Sequence, residues 1–191
     1  MENAVTYVKQ TLLDIPPTTA EAEAKETLVE KIREFMNLKI IGALTQMIKE
    51  GSKQIRDGDV ILTYGLSQAV ERVIMHSKES GTDFSVVVVD SEPELEGRAV
   101  ITRLSEVGIK CTYAQVHSLP FVIKGASKLF LGATAMLSNG YLISQTGTAM
   151  VACMCNYHRV PVVVFSETYK FSKEVMLDSF AVLEVDGAQV H

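Results

Sequence analysis

The segment GATAMLSNGYLISQTGT, residues 132–148, carries no charged side chain and three glycines, Gly132, Gly140 and Gly147. Small, uncharged backbone of this kind lets peptide N–H groups approach a phosphate, and Asn139-Gly140 within it is a turn dipeptide. Farther upstream, YGLSQA follows an apolar run and opens a helical pattern, the setting of a nucleophile elbow. Gly65-Leu66-Ser67-Gln68-Ala69 departs from G-x-S-x-G only in its last residue. A hydrolase built on Ser67 would need a base and an acid, and His117, His158 and Asp178 are the nominees. A serine at that place also caps a helix, satisfying its unpaired N–H groups, and a five-residue near-match is common. Capping is the simpler reading. Asp90 closes the run FSVVVVD, where a hydroxyl acceptor would sit in a nucleotide-binding sheet. Ser91 and Glu94 read as a capping box, with Pro93 in the first turn. The chain has no G-x-G-x-x-G after its first strand and no P-loop, so dinucleotides and nucleoside triphosphates have little support.

The composition sets the class. A chain of 191 residues with 47% hydrophobic content is long enough for one domain, or one domain with a helical extension. The net charge of −5 offers no electrostatic footprint for nucleic acid, and scattered Lys and Arg form no membrane patch. No apolar run reaches the roughly 20 residues needed to span a bilayer, and MENAVTYVKQ lacks a signal-peptide pattern. A soluble, cytoplasmic protein is expected. Cys111, Cys153 and Cys155 lack the pairing of a disulfide framework. On a helix the two thiols of CMC would point roughly 200° apart, unfit for one metal. With four dispersed histidines, neither a metal site nor a cofactor is expected.

These residues need elements to hold them. Before the breaker Pro16-Pro17, ENAVTYVKQTLLDI reads as a short helix. After it, Val29, Ile32, Met36, Ile40, Ala43 and Met47 fall on one stripe of a long amphipathic helix. Thr19 is its expected N-cap and Gly51 its expected stop. The pattern changes at Asp57-Gly58, giving a helical segment over 1–56 and an α/β domain over 57–191. VILTY, FSVVVVD, KCTYAQV, KLFL and VPVVVF read as strands. Helical stretches lie between them: Leu66, Val70, Val73 and Ile74 mark one, Val100, Leu104 and Val107 another, TAMVACMCNYH a third. Such alternation predicts a mostly parallel sheet flanked by helices, with ligands at the strands' carboxyl ends. Those ends are Tyr64-Gly65, Asp90-Ser91, His117-Ser118, Gly132 and Ser166-Glu167. Beyond the last strand, SETYKFSKEVMLDSF sets Tyr169, Phe171 and Phe180 among charges, a mixture found both at partner surfaces and in ordinary edge loops.

Four blocks in order, GDVILTYGLSQAVERVI, VVVVDSEPELEGR, LFLGATAMLSNGYLISQTGTAMVA and VPVVVFSETYKF, resemble the signature blocks of a known family. It comprises the alpha, beta and delta subunits of eukaryotic translation initiation factor 2B and their relatives, the methylthioribose-1-phosphate and ribose-1,5-bisphosphate isomerases. The resemblance covers residues 19–186. SETYKF, the following DSF and DSxPxLEGR look most like the delta branch. It implies a Rossmann-like domain and a regulatory, non-catalytic role in the guanine-nucleotide exchange factor for initiation factor 2. The implied partners are homologous subunits, beta-like above all, together with initiation factor 2 itself, and a homodimer or higher oligomer in isolation. Glu167, Tyr169, Lys170 and Phe171 would border the partner contact. The rival implied reading is a sugar-phosphate aldose–ketose isomerase or a degenerate relative.

The departures favour the first reading. Where the isomerases carry a T-H-C-N block, this chain has Thr63-Tyr64-Gly65-Leu66. Their G-A-D-R reads Gly132-Ala133-Thr134-Ala135, and their Asn-Lys pair falls at Ser144-Gln145. Thiol, carboxylate and cation are replaced, and an isomerisation needs groups to move protons at adjacent carbons and to hold the phosphate. Gly65, Ser67, Asp90, Gly132, Thr134, Asn139, Ser144 and Gln145 are therefore expected to outline a vestigial ligand pocket. The isomerases' Arg-Gly-Ala segment has no counterpart, and Glu92 stands where an Arg is common in the family. The short helical region implies a fragment or a short family version.

Overall fold

The computed structural model describes residues 2–16 and 20–175. Three helices come first: α1 (Glu2–Leu13), α2 (Glu21–Phe35) and α3 (Ala43–Ser52), the last two joined by a π-helical stretch, Met36–Gly42. Strands and helices then alternate: β1 (Val60–Tyr64), α4 (Gln68–Glu79), β2 (Ser85–Asp90), α5 (Gly97–Glu106), β3 (Lys110–Gln115) and the short α6 (Leu119–Val122). They continue with β4 (Lys128–Gly132), the hairpin strands β5 (Ala135–Met136) and β6 (Leu142–Ile143), α7 (Thr148–Tyr157) and β7 (Val162–Phe165). Five strands pair in parallel in the order β3-β2-β1-β4-β7. The chain builds outward from β1 to β3, then returns to the other side of β1, so the direction of winding switches between β1 and β4.

Both faces of the sheet are covered, which is why its central strands are continuous apolar runs rather than alternating ones. Ile61, Val86, Val88 and Phe130 point to one face and pack with Val70, Val73 and Ile74 of α4 and Val100 and Leu104 of α5. Leu62, Val87, Val89, Leu129 and Leu131 point to the other, against Leu119, Ile123, Val151 and Cys155. Each such aliphatic side chain taken fully from water contributes about 1.5–3 kcal/mol. Among the described residues β7 is an edge strand that pairs with β4 alone, and its Val162 and Val164 are 37% and 38% exposed, unlike the buried strand its sequence suggests.

The helical layer departs from the expected stripe. The half-buried positions are Ala24, Thr27, Leu28, Ile32 and Phe35 before the π stretch, Ile40 within it, and Ala43, Leu44, Met47 and Ile48 after it. Val29 and Met36 of the expected stripe are exposed. The step from Phe35 to Ile40 is longer than an α-helix repeats, and π winding absorbs the extra residue. Tyr7 stacks on Phe35 with ring centroids 4.4 Å apart, fastening α1 to α2. Gly51 does not end the helix. It lies inside α3, where a Cβ would stand 2.6 Å from Phe165 and 2.9 Å from Val73, so its lack of a side chain lets α3 press on α4. Thr19 lies outside the described residues, and α2 begins after Ala20 with no side-chain cap.

The capping box at Ser91 and Glu94 is also corrected: α5 starts only at Gly97. The Ser91 hydroxyl is engaged instead with the Tyr64 hydroxyl at 2.9 Å, and the helix opens on Gly97, where any Cβ would lie 2.9 Å from the Asp90 carboxylate. In CMC, Cys153 is exposed and Cys155 buried, and burial pushes the Cys155 thiol up to about 11.

Two ion pairs lock neighbouring elements. Arg103 of α5 grips Glu71 of α4 through Nε to Oε1 at 2.5 Å and Nη2 to Oε2 at 2.8 Å. The carboxylate is buried while the arginine side chain is 41% exposed. Arg103→Ala should therefore cost more than Glu71→Ala. Removing the cation strands a buried charge at about 3 kcal/mol or more, whereas removing Glu71 returns Arg103 to water. Urea melts of both variants check this, and equal losses would contradict it.

At the sheet's opposite end Lys128 Nζ lies 3.0 Å from Asp59 Oδ2 and also donates to the Gln54 carbonyl. Burial raises the Asp59 carboxyl, but the Arg56 N–H and Lys128 outweigh it and hold it below the ordinary 3.8. A depressed carboxyl stabilises the fold above its unfolded value and loses that contribution as pH falls through the folded one. Asp59→Asn should accordingly cost stability at pH 6, with the gap to wild type shrinking below about pH 4. Denaturation across that range measures it.

Candidate functional site

The carboxyl ends of β1, β2 and β4 meet in a crevice of two adjoining cavities that share Tyr64 and Gln145 in their walls. The larger, about 480 Å³, is lined by Gly65, Gly147 and the loop after β2; its charged lining residues, Asp90, Glu92, Glu94 and Glu96, are all carboxylates. The smaller, about 260 Å³, is lined by Ser67, Gly132, Thr134 and Ser144, with Lys170 at one side. The fold thus gathers Gly65, Ser67, Asp90, Gly132, Thr134, Ser144 and Gln145 around one place. Asn139 lies apart, at the β5–β6 turn, where Gly140 takes φ +83° and Asn139 Oδ1 accepts from the Tyr141 N–H at 3.3 Å. Ser166, at the end of β7, lines neither cavity, and its buried hydroxyl has no hydrogen-bond partner.

The glycines of this site sit against the chain's own polar groups. A Cβ on Gly147 would collide with the Tyr64 hydroxyl, one on Gly65 with the Gln145 amide oxygen, and one on Gly132 with the Ser67 hydroxyl. Tyr64 donates to the Thr146 carbonyl at 2.7 Å, which leaves the Ser91 hydroxyl as donor in their 2.9 Å contact. Gln145 Nε2 donates to Glu96 at 3.1 Å. Ser144 donates to the Gly132 carbonyl at 2.9 Å and accepts from Thr148 at 3.3 Å. Asp90, 2% exposed, accepts from its neighbour's N–H and from the Tyr113 hydroxyl, each at 3.1 Å. Arg98 lies over the Tyr113 ring, 5.8 Å from its centroid.

Ser67 caps α4, accepting from the Val70 N–H at 3.5 Å. Neither His117 nor His158 lines its cavity, and Asp178 lies outside the described residues, so no relay to the serine is assembled among those described. Thr134 is exposed, and a hydroxyl is no general acid near neutral pH. No trio of His, Cys, Asp and Glu is placed to hold a metal among the described residues, and none of the described helices is long and apolar enough to cross a membrane.

The SETYKF segment turns inward. Its short 3₁₀ turn, Thr168–Lys170, packs against α1 and the π stretch. Glu167 is buried, with Lys170 Nζ 2.6 Å from its Oε2, an ion pair off the hydrogen-bonding direction. The half-buried Tyr169 donates to Glu167 Oε1 at 3.3 Å. Burial, then the Glu167 charge, raises its phenol above the ordinary value against the opposing pull of Arg72. Of the four residues expected to border a partner, Phe171 is the exposed one, at 54%.

Sequence reasoning placed Tyr64 and Ser91 at strand ends but missed the bond between them, and missed Thr146, which lines the larger cavity, and Tyr113, which holds Asp90. The signal was a tyrosine ending an aliphatic strand, since a buried phenol needs a partner for its hydroxyl.

Comparison with known proteins places this geometry. The initiation factor 2 subunit family matches over residues 1–190. The chain belongs to that family. Within the initiation factor 2 subunit family, it is 40% identical to translation initiation factor eIF2B subunit delta of Schizosaccharomyces pombe, over 97% of this chain and 40% of that protein. It is 31% identical to ribose 1,5-bisphosphate isomerase of Pyrococcus furiosus, over 97% of this chain and 57% of the isomerase. Among solved structures, a chain of the tetrameric eIF2B-beta2-delta2 complex from C. thermophilum superimposes with a TM-score of 0.90 at 31% identity, over 95% of this chain and 59% of that one. The chain thus spans only 40 to 59% of these relatives' lengths.

Adding a thiol at Gly65 should not produce an isomerase. Gly65 has φ +60° and its Cβ position is occupied by Gln145, so Gly65→Cys should cost about 1–3 kcal/mol of stability. It should give no turnover of methylthioribose 1-phosphate, because Ser67, Thr134 and Ser144 of the adjoining cavity supply only hydroxyls beside the new thiol and catalytic groups act as a unit. Thermal melts and a coupled isomerase assay check both halves. Turnover by either protein would contradict it.

Proposed function

We propose that this chain acts as a delta-type regulatory and assembly subunit of the cytoplasmic guanine-nucleotide exchange factor for initiation factor 2. It binds and positions rather than catalyses. The observation that carries this reading is the 40% identity to an eIF2B delta subunit over nearly the whole chain. The crevice supports it: Gly65, Thr134 and Ser144-Gln145 offer no thiol, carboxylate or cation where the isomerase blocks have them, and the larger cavity's carboxylates would repel a phosphorylated sugar. Residues 1–56 serve as a helical layer, and the chain from residue 57 onward as the Rossmann-like body. The partner is a beta-type subunit, as in the beta2-delta2 neighbour, with initiation factor 2 as the client of the whole assembly.

Phe171 and its surroundings form the proposed border of that contact. A half-exposed aromatic amid charges fits an anchor with a solvated rim. Sedimentation equilibrium of the chain alone and with a beta-type subunit should show a complex. Phe171→Ala should weaken it by about 2 kcal/mol, and Lys173→Ala by less than half as much. A chain that stays monomeric at high concentration and ignores the beta-type subunit would overturn the assembly reading. Equal weakening by both variants would overturn only the anchor assignment.

A further inference from the structure

We propose that Tyr64 and Gln145 form a built-in plug between the crevice's two cavities that ties the loops 91–96 and 144–147 together, so that the two loops open as one unit. Tyr64 ends the central strand and is 6% exposed. Its single hydroxyl is fastened to both loops at once, donating to Thr146 and accepting from Ser91. Thr146 and Ser91 belong to segments far apart in sequence, and β1 is the strand whose end lies between them. The exposed Gln145 makes a second bridge across the mouth to Glu96.

The neighbouring glycines fit this reading. Gly147 at φ +91° and Gly65 at φ +60° leave the space that the Tyr64 hydroxyl and the Gln145 amide occupy. A side chain at either position would evict its half of the plug. Neither loop has a strand to pair with: residues 91–96 run as irregular backbone with Leu95 at φ +49°, and residues 144–147 connect β6 to α7. Their placement rests on side-chain bonds. The inner bridge is partly buried and the outer one exposed, so breaking the inner one has the larger effect.

Hydrogen exchange on the whole chain tests this, because each loop carries a bonded amide to report on it. Ser91 N–H is held by Asp90, Leu95 N–H by the Ser91 carbonyl, and Thr148 N–H by the Gln145 carbonyl. Tyr64→Phe is expected to speed exchange at Leu95 and Thr148 together by about tenfold or more, leaving the core amides of β2 unchanged. Gln145→Ala should speed both by a few-fold. Tyr113→Phe, which removes a hydroxyl bonded only to Asp90, should leave Thr148 at its wild-type rate. Loosening of one loop alone, no change at either, or an equal rise throughout β2 would overturn the plug. Should Tyr64→Phe fail to fold, Gln145→Ala decides: no change at Leu95 and Thr148 together overturns the proposal.

Discussion

The buried backbone of β1 is the constraint on which the rest of the structure depends. Its peptide groups have no water to bond, so β2 and β4 must pair along both edges, and its aliphatic side chains require helices on both faces. Meeting those demands with one chain forces the winding to reverse beside β1. A parallel sheet that reverses there leaves its strand ends diverging, and the crevice is the result. The place where a ligand could sit is thus a by-product of covering one strand. What fills that place is a separate question of side chains.

Much of the fold was legible because it follows from burial. Unbroken runs such as VVVV have no polar face to offer solvent, which predicts a doubly covered sheet, and Ser67 in front of an apolar-periodic segment predicts the α4 cap. The misreadings share a cause: each local signal met a competing contact from far along the chain. Gly51 reads as a helix stop until Phe165 and Val73 are seen pressing against it. Ser91 reads as a helix cap until Tyr64, from the adjacent strand, takes its hydroxyl. The outward valines of β7 look like core because their sequence cannot reveal that the strand has one neighbour among the described residues.

The crevice was partly legible in the same sense. Strand ends and glycines located it. Its actual contents depend on pairs such as Tyr64 with Thr146 and Tyr113 with Asp90, which no spacing rule brings together. The SETYKF segment shows the converse. Its aromatic and charged residues suggested a surface, yet Glu167 and Lys170 pair in charge with one another on a segment packed against α1 and the π stretch, leaving Phe171 as the outward part. Charge in a sequence marks a demand for a partner, and the chain itself can supply one.

The π-helical stretch behaves as a phase shifter between two rods. An added residue in a uniform α-helix would rotate everything beyond it by about 100°, yet here the surplus is stored within Met36–Gly42. Downstream, α3 keeps Gly51 seated on Phe165; upstream, α2 keeps Phe35 stacked on Tyr7. Two docking requirements that are out of step with one helical repeat are met by a single continuous element. Length variation in this helix is therefore buffered locally: a residue taken up by π winding leaves the azimuth of both rods, and the sheet beneath them, where they are.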